Sequence, residues 1–436
     1  MTDTSKPNHS ASETASSGTG YPSSEQALVW DPRSDAVQQD QIAAYDAMRA
    51  RCPVARSRYG YASVFRHADV VRILHDHDTF SSGVSRFPSV PNGMDPPEHN
   101  TYRELIEPYF TQAEVDAFAP VCQHISEQLV ATMPANDPVA FMQAFASVFA
   151  VQLQCAFMGW SEALHQPLLL WLRKNHEATL SRDQDALNQV AFEFDATIRA
   201  ELDKRRSGGP LEGAGTTRAG LPPSAGGQAA TGTTLAGMRD SSQPDVTSRL
   251  LAERVNGRPL SDDEIVSIIR NWTVGEVGTI AAAVGILVQF LASHPDVQQQ
   301  LRDHPEKLPA AIDEILRIHP PLILNRRVAT RDTTVGGVPI EKGERLTLLW
   351  ASANRDERVF PEPDAFRLDR DPSQNLLYGA GIHVCPGEAL ARRELLIVMQ
   401  AILDGTFNIV ADPSRPPVNA VFPAGGYSEI SVIFQR

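Results

Sequence analysis

The sequence predicts a single domain that is mainly α-helical with small β-sheets. Apolar residues recur three and four positions apart from about 95 to 204 and again from 245 to 318, the spacing of helices that bury one face. Short runs in 55–66 and 326–351, interrupted by turn residues such as Gly336 and Gly337, have the length of strands instead. The segment after Cys385, PGEALARRELLIVMQAIL, opens on a proline and carries apolar residues at helical spacing, so a last helix starts abruptly behind a glycine-rich loop.

Taken in chain order, residues 1–27 are rich in Ser and Thr and poor in apolar groups, which predicts a disordered tail, with order starting near Leu28–Trp30. DQIAAYDAMRARCP reads as a helix, and ARSRYGYASVFR as strands. The Gly/Pro/Ser-rich segment 207–244 buries too little apolar surface to offset its ordering entropy and is expected to be a flexible insertion loop within the domain 28–436. LSDDEIVSIIRNWTVGEVGTIAAAVGILVQFLASHP reads as one long helix, with Ser261 as N-cap and Glu264 completing a capping box. Its middle is unusually small, at Gly275, Gly278 and Ala281 to Ala283. Glycines weaken a helix, so their clustering suggests the close approach of a ligand. YSEISVIF closes the chain as a strand pair.

Composition narrows the function. A net charge of −14 over 436 residues argues against nucleic acid, whose phosphates need a basic face. The longest apolar run, Ile280 to Leu291, includes Gln289 and suits a buried central helix better than a membrane span. The four cysteines, Cys52, Cys122, Cys155 and Cys385, form no CxxC pair, so neither a disulfide framework nor a structural zinc site is suggested. The N-terminus has no basic-then-apolar signal pattern, and a cytoplasmic location is expected.

The loop YGAGIHVCPGEALAR is the most specific stretch. Its glycines permit backbone angles closed to other residues, and the unpaired N–H groups of a helix start favour a thiolate at Cys385, suited to a metal ligand or a nucleophile. By cysteine statistics alone, a buried structural cysteine would be the plainer reading. The loop resembles the haem-binding loop of the cytochrome P450 family, F-G-x-G-x-H-x-C-x-G, through Tyr378, Gly379, Gly381, His383, Cys385 and Gly387, with Tyr in place of Phe. Other segments are similar to further motifs of that family. Glu314 and Arg317 match E-x-x-R, whose usual third partner, an Arg, is replaced here by Ala365, with Arg367 two residues on. His99 and Arg103 match H-x-x-x-R, two cations one helical turn apart that suit haem propionates. Arg327 matches a third propionate position, Arg326 being the alternative if the register slips by one, and His383 a fourth. Thr279 matches the threonine of [AG]-G-x-[DE]-T, whereas Gly278 stands where the acid belongs. Glu276, at i,i+3 to Thr279, is the remaining acid, acting through water or tied up in a salt bridge elsewhere. A bond from Thr279 to the Gly275 carbonyl would be its purely structural use. NWTVGEVGTI looks most like the thiocarbamate-degrading and self-sufficient bacterial branch of the family.

The resemblance implies the cytochrome P450 fold as a single haem domain and the cofactor haem b, with Cys385 as axial ligand of the iron. It also implies insertion of one oxygen atom from O2 into an organic substrate by hydroxylation or O- or N-dealkylation. Electrons would come from NAD(P)H through a ferredoxin or flavodoxin and its reductase, with Arg392 and Arg393 as a local basic patch for an acidic partner. Family positions put Phe87, Val277, Ile280, Ile323, Leu324 and Phe422 in the substrate pocket, an apolar and partly aromatic set, and Trp171 and Phe192 on lid helices. A peroxide-driven peroxygenase and a non-catalytic haem-thiolate gas sensor are the rival readings.

Overall fold

The structure, a computed structural model, describes residues 30–208 and 244–436 apart from residues 58, 86 and 182. The expected tail 1–27 and nearly all of the 207–244 insertion lie outside the described residues. Fourteen α-helices are described: α1 (Asp35–Gln39), α2 (Gln41–Arg51), α3 (His67–His75), α4 (Glu98–Ile106), α5 (Gln112–Thr132), α6 (Ser147–Met158), α7 (His165–Ser181), α8 (Gln184–Arg206), α9 (Val246–Ala252), α10 (Asp262–Ser293), α11 (Pro295–Asp303), α12 (Leu308–Ile318), α13 (Trp350–Ala353) and α14 (Glu388–Asp404). The strands are fewer and shorter. One sheet runs in the order β1 (Val54–Arg56), β2 (Tyr61–Val64), β10 (Arg345–Leu349), β7 (Leu324–Ala329), β3 (Phe80–Ser81), with β10 parallel to β2 and its other neighbours antiparallel. A second joins β11 (Asn408–Ala411), β14 (Ser431–Gln435) and β4 (Pro138–Ala140). Three two-stranded pieces complete the set: β5 (Arg254–Val255) with β6 (Arg258–Pro259), β8 (Thr333–Val335) with β9 (Val338–Ile340), and β12 (Val418–Asn419) with β13 (Tyr427–Glu429).

The mainly helical expectation holds, with one correction at the C-terminus. The two strands in YSEISVIF exist, yet they do not pair with each other: β13 pairs with β12 and β14 with β11 and β4. Strand patterning reports that a segment is extended, whereas its partner is set by where the rest of the chain has folded.

Helix α10 organises the core. It starts at the expected capping box, in which the Ser261 side chain accepts from the Glu264 amide and the Glu264 carboxylate accepts from the Ser261 amide. Its apolar flanks, from Ile265 to Ile269 and from Ala283 to Leu291, are buried among α6, α8, α12 and α14. By length and composition α10 could cross a membrane after all, but 67% of its most apolar stretch is buried inside the protein, which is how a central core helix looks. Midway the burial breaks down. Val274, Gly275 and Gly278 are exposed, and Asn271, Thr279 and Ala282 half-buried, all within one side of the helix. A β-carbon at Gly275 or Gly278 would meet nothing within 4 Å, so open space lies along this stripe.

Because the capping box satisfies donors at the start of this central helix, Ser261→Ala is expected to lower stability by about 1 kcal/mol. Urea unfolding should show an earlier midpoint with an unchanged slope.

Candidate functional site

The cysteine loop is held by its own backbone. The Cys385 amide donates to the Tyr378 carbonyl at 2.9 Å, and Gly379 and Gly381 take φ of +78° and +71°. A β-carbon on Gly381 would sit 2.2 Å from the Leu74 carbonyl oxygen, so only glycine lets the loop lie against α3. Burial pushes the Cys385 thiol up to about 11, outweighing the Gly387 N–H and the Arg103 charge that pull it down, while the nearby Glu276 charge raises it further. One amide at a helix start does not offset the loss of water around the sulfur; coordination to a metal cation would deprotonate it outright.

Four side chains gather beside this loop. His99 and Arg103 lie on α4, His383 in the loop and Arg327 on β7. Arg103 donates to the Val384 carbonyl at 2.7 Å and pairs with Glu107 at 2.9 Å, so it braces the loop as well as charging it. Arg327 is buried with its Nη1 on the Arg326 carbonyl, and no carboxylate among the described residues lies within ion-pair distance. Burial lowers its pKa to about 10, which leaves it a cation at neutral pH. Arg326, the register alternative, is exposed. The His99 and His383 rings meet edge-on with centroids 4.4 Å apart, and Nε2 of each is sealed without a partner. Burial, with Arg327 and His99 alongside, drops the His383 pKa to about 3. A buried guanidinium lacking an anion and two orphaned imidazole nitrogens leave hydrogen-bonding capacity that a dianionic group would satisfy. With the half-buried Cys385 and the open stripe of α10, these residues fit haem and its propionates.

On α10 the structure separates the candidates. Thr179, Thr197 and Thr406 each bond to the carbonyl four residues back, but Thr279 makes no such bond to Gly275, so its hydroxyl is free of that structural use. Glu276 forms no salt bridge among the described residues; its carboxyl meets that of Glu394 on α14. Val277 and Ile280 turn away from the open stripe into the main core, which corrects their placement in the pocket. A 100° step per residue puts Val274, Gly275 and Gly278 on the open side instead. That Val274 belongs to the stripe was readable from helical spacing around the glycines.

The remaining pocket candidates are not brought into one cavity. Ile323 and Leu324 belong to a small cluster with Trp30 and Tyr45. Phe422 is half-buried with the Arg33 guanidinium 5.8 Å from its ring, and Phe87 is 70% exposed. Of the lid candidates, Trp171 on α7 is buried, stacked on Phe194 at 4.4 Å, whereas Phe192 on α8 is exposed. Trp350, which sequence reasoning missed, packs its indole 4.0 Å from the Gly379 β-position with Nε1 buried and unpartnered.

The brace behind the loop is buried, not a surface pair. Arg317, 1% exposed, holds both oxygens of Glu314 at 2.7 and 3.0 Å and donates to the carbonyls of Asn354 and Pro363. The third partner is Arg370, which reaches Glu314 at 2.8 Å and the carbonyls of Pro361, Glu362 and Ala365. Arg367 gives Glu314 only its backbone N–H; its guanidinium pairs outside with Asp369 and Glu362. The sequence left this partner open, because loop geometry, not separation along the chain, selects the arginine that turns inward. His319, just after α12, is half-buried near Arg355 and Arg317, and loss of water first and those charges second lower its pKa to about 4.

Comparison with known proteins places this architecture. The family model described as Cytochrome P450 matches residues 132–423. Nocardicin C N-oxygenase of Nocardia uniformis subsp. tsuyamanensis is 31% identical over 85% of this chain and 89% of its own length. Erythromycin C-12 hydroxylase of Saccharopolyspora erythraea is 27% identical over 82% of this chain and 84% of its own. The solved structure of open cytochrome P450 EryK from S. erythraea superposes with a TM-score of 0.76 at 25% identity, covering 92% of this chain and 96% of that one. The chain therefore belongs to the cytochrome P450 family. It is a haem-thiolate monooxygenase, an oxidoreductase with haem b and an axial cysteine, working on a substrate and O2 with electrons from redox partners.

Two outcomes follow for stability. Arg370→Ala leaves a buried Glu314 oxygen short of a charged donor and is expected to cost about 2 kcal/mol in urea unfolding, whereas Arg367→Ala leaves the midpoint in place. His319, held neutral when folded, takes up its proton more readily when unfolded. Stability should fall as pH drops from 6.5 towards 4, and His319→Gln should flatten that part of the profile.

Proposed function

We propose that Cys385 is the axial ligand of the haem iron, that His99, Arg103, Arg327 and His383 hold its propionates, and that Tyr378 and Gly387 flank the sulfur. The observation that carries this reading is the unpaired buried set beside Cys385: the Arg327 guanidinium and the two sealed imidazole nitrogens. When bound, haem supplies an iron whose thiolate ligand favours O–O cleavage. The protein's part is to position and to move protons. Thr279 presents its hydroxyl in the open stripe, with Glu276 one turn away as the nearest acid on α10. Gly275 and Gly278 leave room for a substrate, which we infer to be a small apolar organic compound, aromatic ones included, oxidised by hydroxylation or O- or N-dealkylation.

Electrons would arrive from NAD(P)H through a ferredoxin or flavodoxin, in a cytoplasmic setting. Of the two arginines behind the loop, Arg392 is engaged by Asp313 and Glu388 and stacks on Tyr378 at 4.6 Å. Arg393 is exposed and in no ion pair among the described residues, so it is the stronger candidate to meet an acidic partner.

The reduced, carbon monoxide-bound protein is expected to show a strongly red-shifted Soret band, lost in Cys385→Ser; a histidine-type spectrum in the wild type would overturn the thiolate assignment. With a substrate found by spin-state screening, NADH, ferredoxin and reductase should support turnover better than peroxide alone. Thr279→Ala should lower product formed per NADH roughly 100-fold, the low end of what losing a positioned proton donor costs. Better turnover with peroxide would favour the peroxygenase. No turnover with any donor, together with a gas-dependent conformational change, would favour the sensor.

A further inference from the structure

Two acids meet where α10 packs against α14. The carboxyls of Glu276 on α10 and Glu394 on α14 are close enough for a proton to bridge them. Glu394 is 1% exposed, and no N–H or O–H among the described residues donates to either of its oxygens or to Glu276 Oε1. No cation among the described residues is paired with either carboxyl. The other titratable groups close by are the Cys122 thiol of α5, the Cys385 thiol, and Arg393 of α14, which is exposed to solvent. Two carboxylates without a cation cannot both keep a charge in such a place, and carboxyl oxygens bond to each other only through a proton. Burial raises the pKa of both, and the charge of Glu276 raises Glu394 further, so the proton rests on Glu394 and is donated to Glu276. Glu276 as a residue is only half-buried, at the edge of the open stripe that contains Thr279.

We propose that Glu276 and Glu394 form a carboxylic acid–carboxylate pair that holds one proton between α10 and α14 and replaces the acid displaced by Gly278 as the proton supply of Thr279. The inference rests on the monooxygenase reading above. The transfer balances simply: the Glu394 proton passes to the Glu276 carboxylate, Glu276 gives its proton through water to the Thr279 side, and water returns one to Glu394. Glu394 thus acts through Glu276 and is a positioning and proton-holding residue.

The test is infrared spectroscopy of the ferric holoenzyme at neutral pH, beside its carbon monoxide spectrum. The wild type should show the carbonyl stretch of a buried protonated carboxyl, shifted down in D2O. Glu276→Gln and Glu394→Gln should each remove that band, because the amide N–H then bonds to the remaining carboxylate and lets it ionise. Should Glu394→Gln fail to fold, Glu276→Gln reads the same proton. Both variants should keep the wild-type carbon monoxide spectrum and, with redox partners, release several-fold more peroxide per NADH consumed. Absence of the band in a wild type with the red-shifted Soret band, or its persistence in both variants, would overturn the pair while leaving the monooxygenase reading intact. Loss of the band in the variants with unchanged peroxide release would overturn the supply role. A histidine-type carbon monoxide spectrum would overturn the monooxygenase reading and with it that role, whatever the band shows.

Discussion

Everything near the cysteine loop leans on one buried charge cluster. Glu314 lies inside the protein, and a lone carboxylate there would cost several kcal/mol in lost hydration. Arg317 and Arg370 neutralise it, and their remaining N–H groups tie down five carbonyls, at Asn354, Pro361, Pro363, Glu362 and Ala365. These carbonyls belong to the irregular chain that leads from α13 towards the cysteine loop. A segment with no sheet or helix of its own is thereby given a fixed path, and the position of Cys385 follows from it. The cluster's worth is geometric more than energetic, since apolar packing could supply stability but not five directed bonds to one loop.

The site shows the opposite electrostatic pattern. Around Cys385 the cations and imidazoles outnumber their partners, and the mismatch is buried, where it is expensive. Arg327 keeps its charge without a carboxylate, and His99 and His383 stay neutral with a sealed nitrogen each. Binding an anionic group there would offset these costs, in a sequence whose net charge is −14. Where α10 meets α14 the imbalance is reversed, with two acids and, among the described residues, no cation paired with them. Between these two environments, the small central residues of α10 leave open space along one side of the helix.

Much of this was legible before folding was considered. The glycine and histidine spacing around Cys385, the capping box at Ser261 and the small centre of α10 are local features, and each appears where the residues indicate. Other readings failed or stayed open for one reason. Val277 and Ile280 were placed in the pocket from neighbours in sequence, and the arginine that completes the brace in place of Ala365 was left open there. The outcome in each case depends on neighbours in space: a helix's rotation against the core and a loop's turn.

The sequence by itself determined the helical class, the limits of the long helix, the glycine positions of the loop and the residue types that gather at the haem site, because these depend on backbone conformations and short spacings. Only the tertiary structure decided which arginine completes the brace, which face of α10 is open, which strands pair at the C-terminus, and that Glu276 meets Glu394, 118 residues further along the chain. Those outcomes depend on burial and on the meeting of distant segments. A side chain's charge state and partner are properties of the space it ends in.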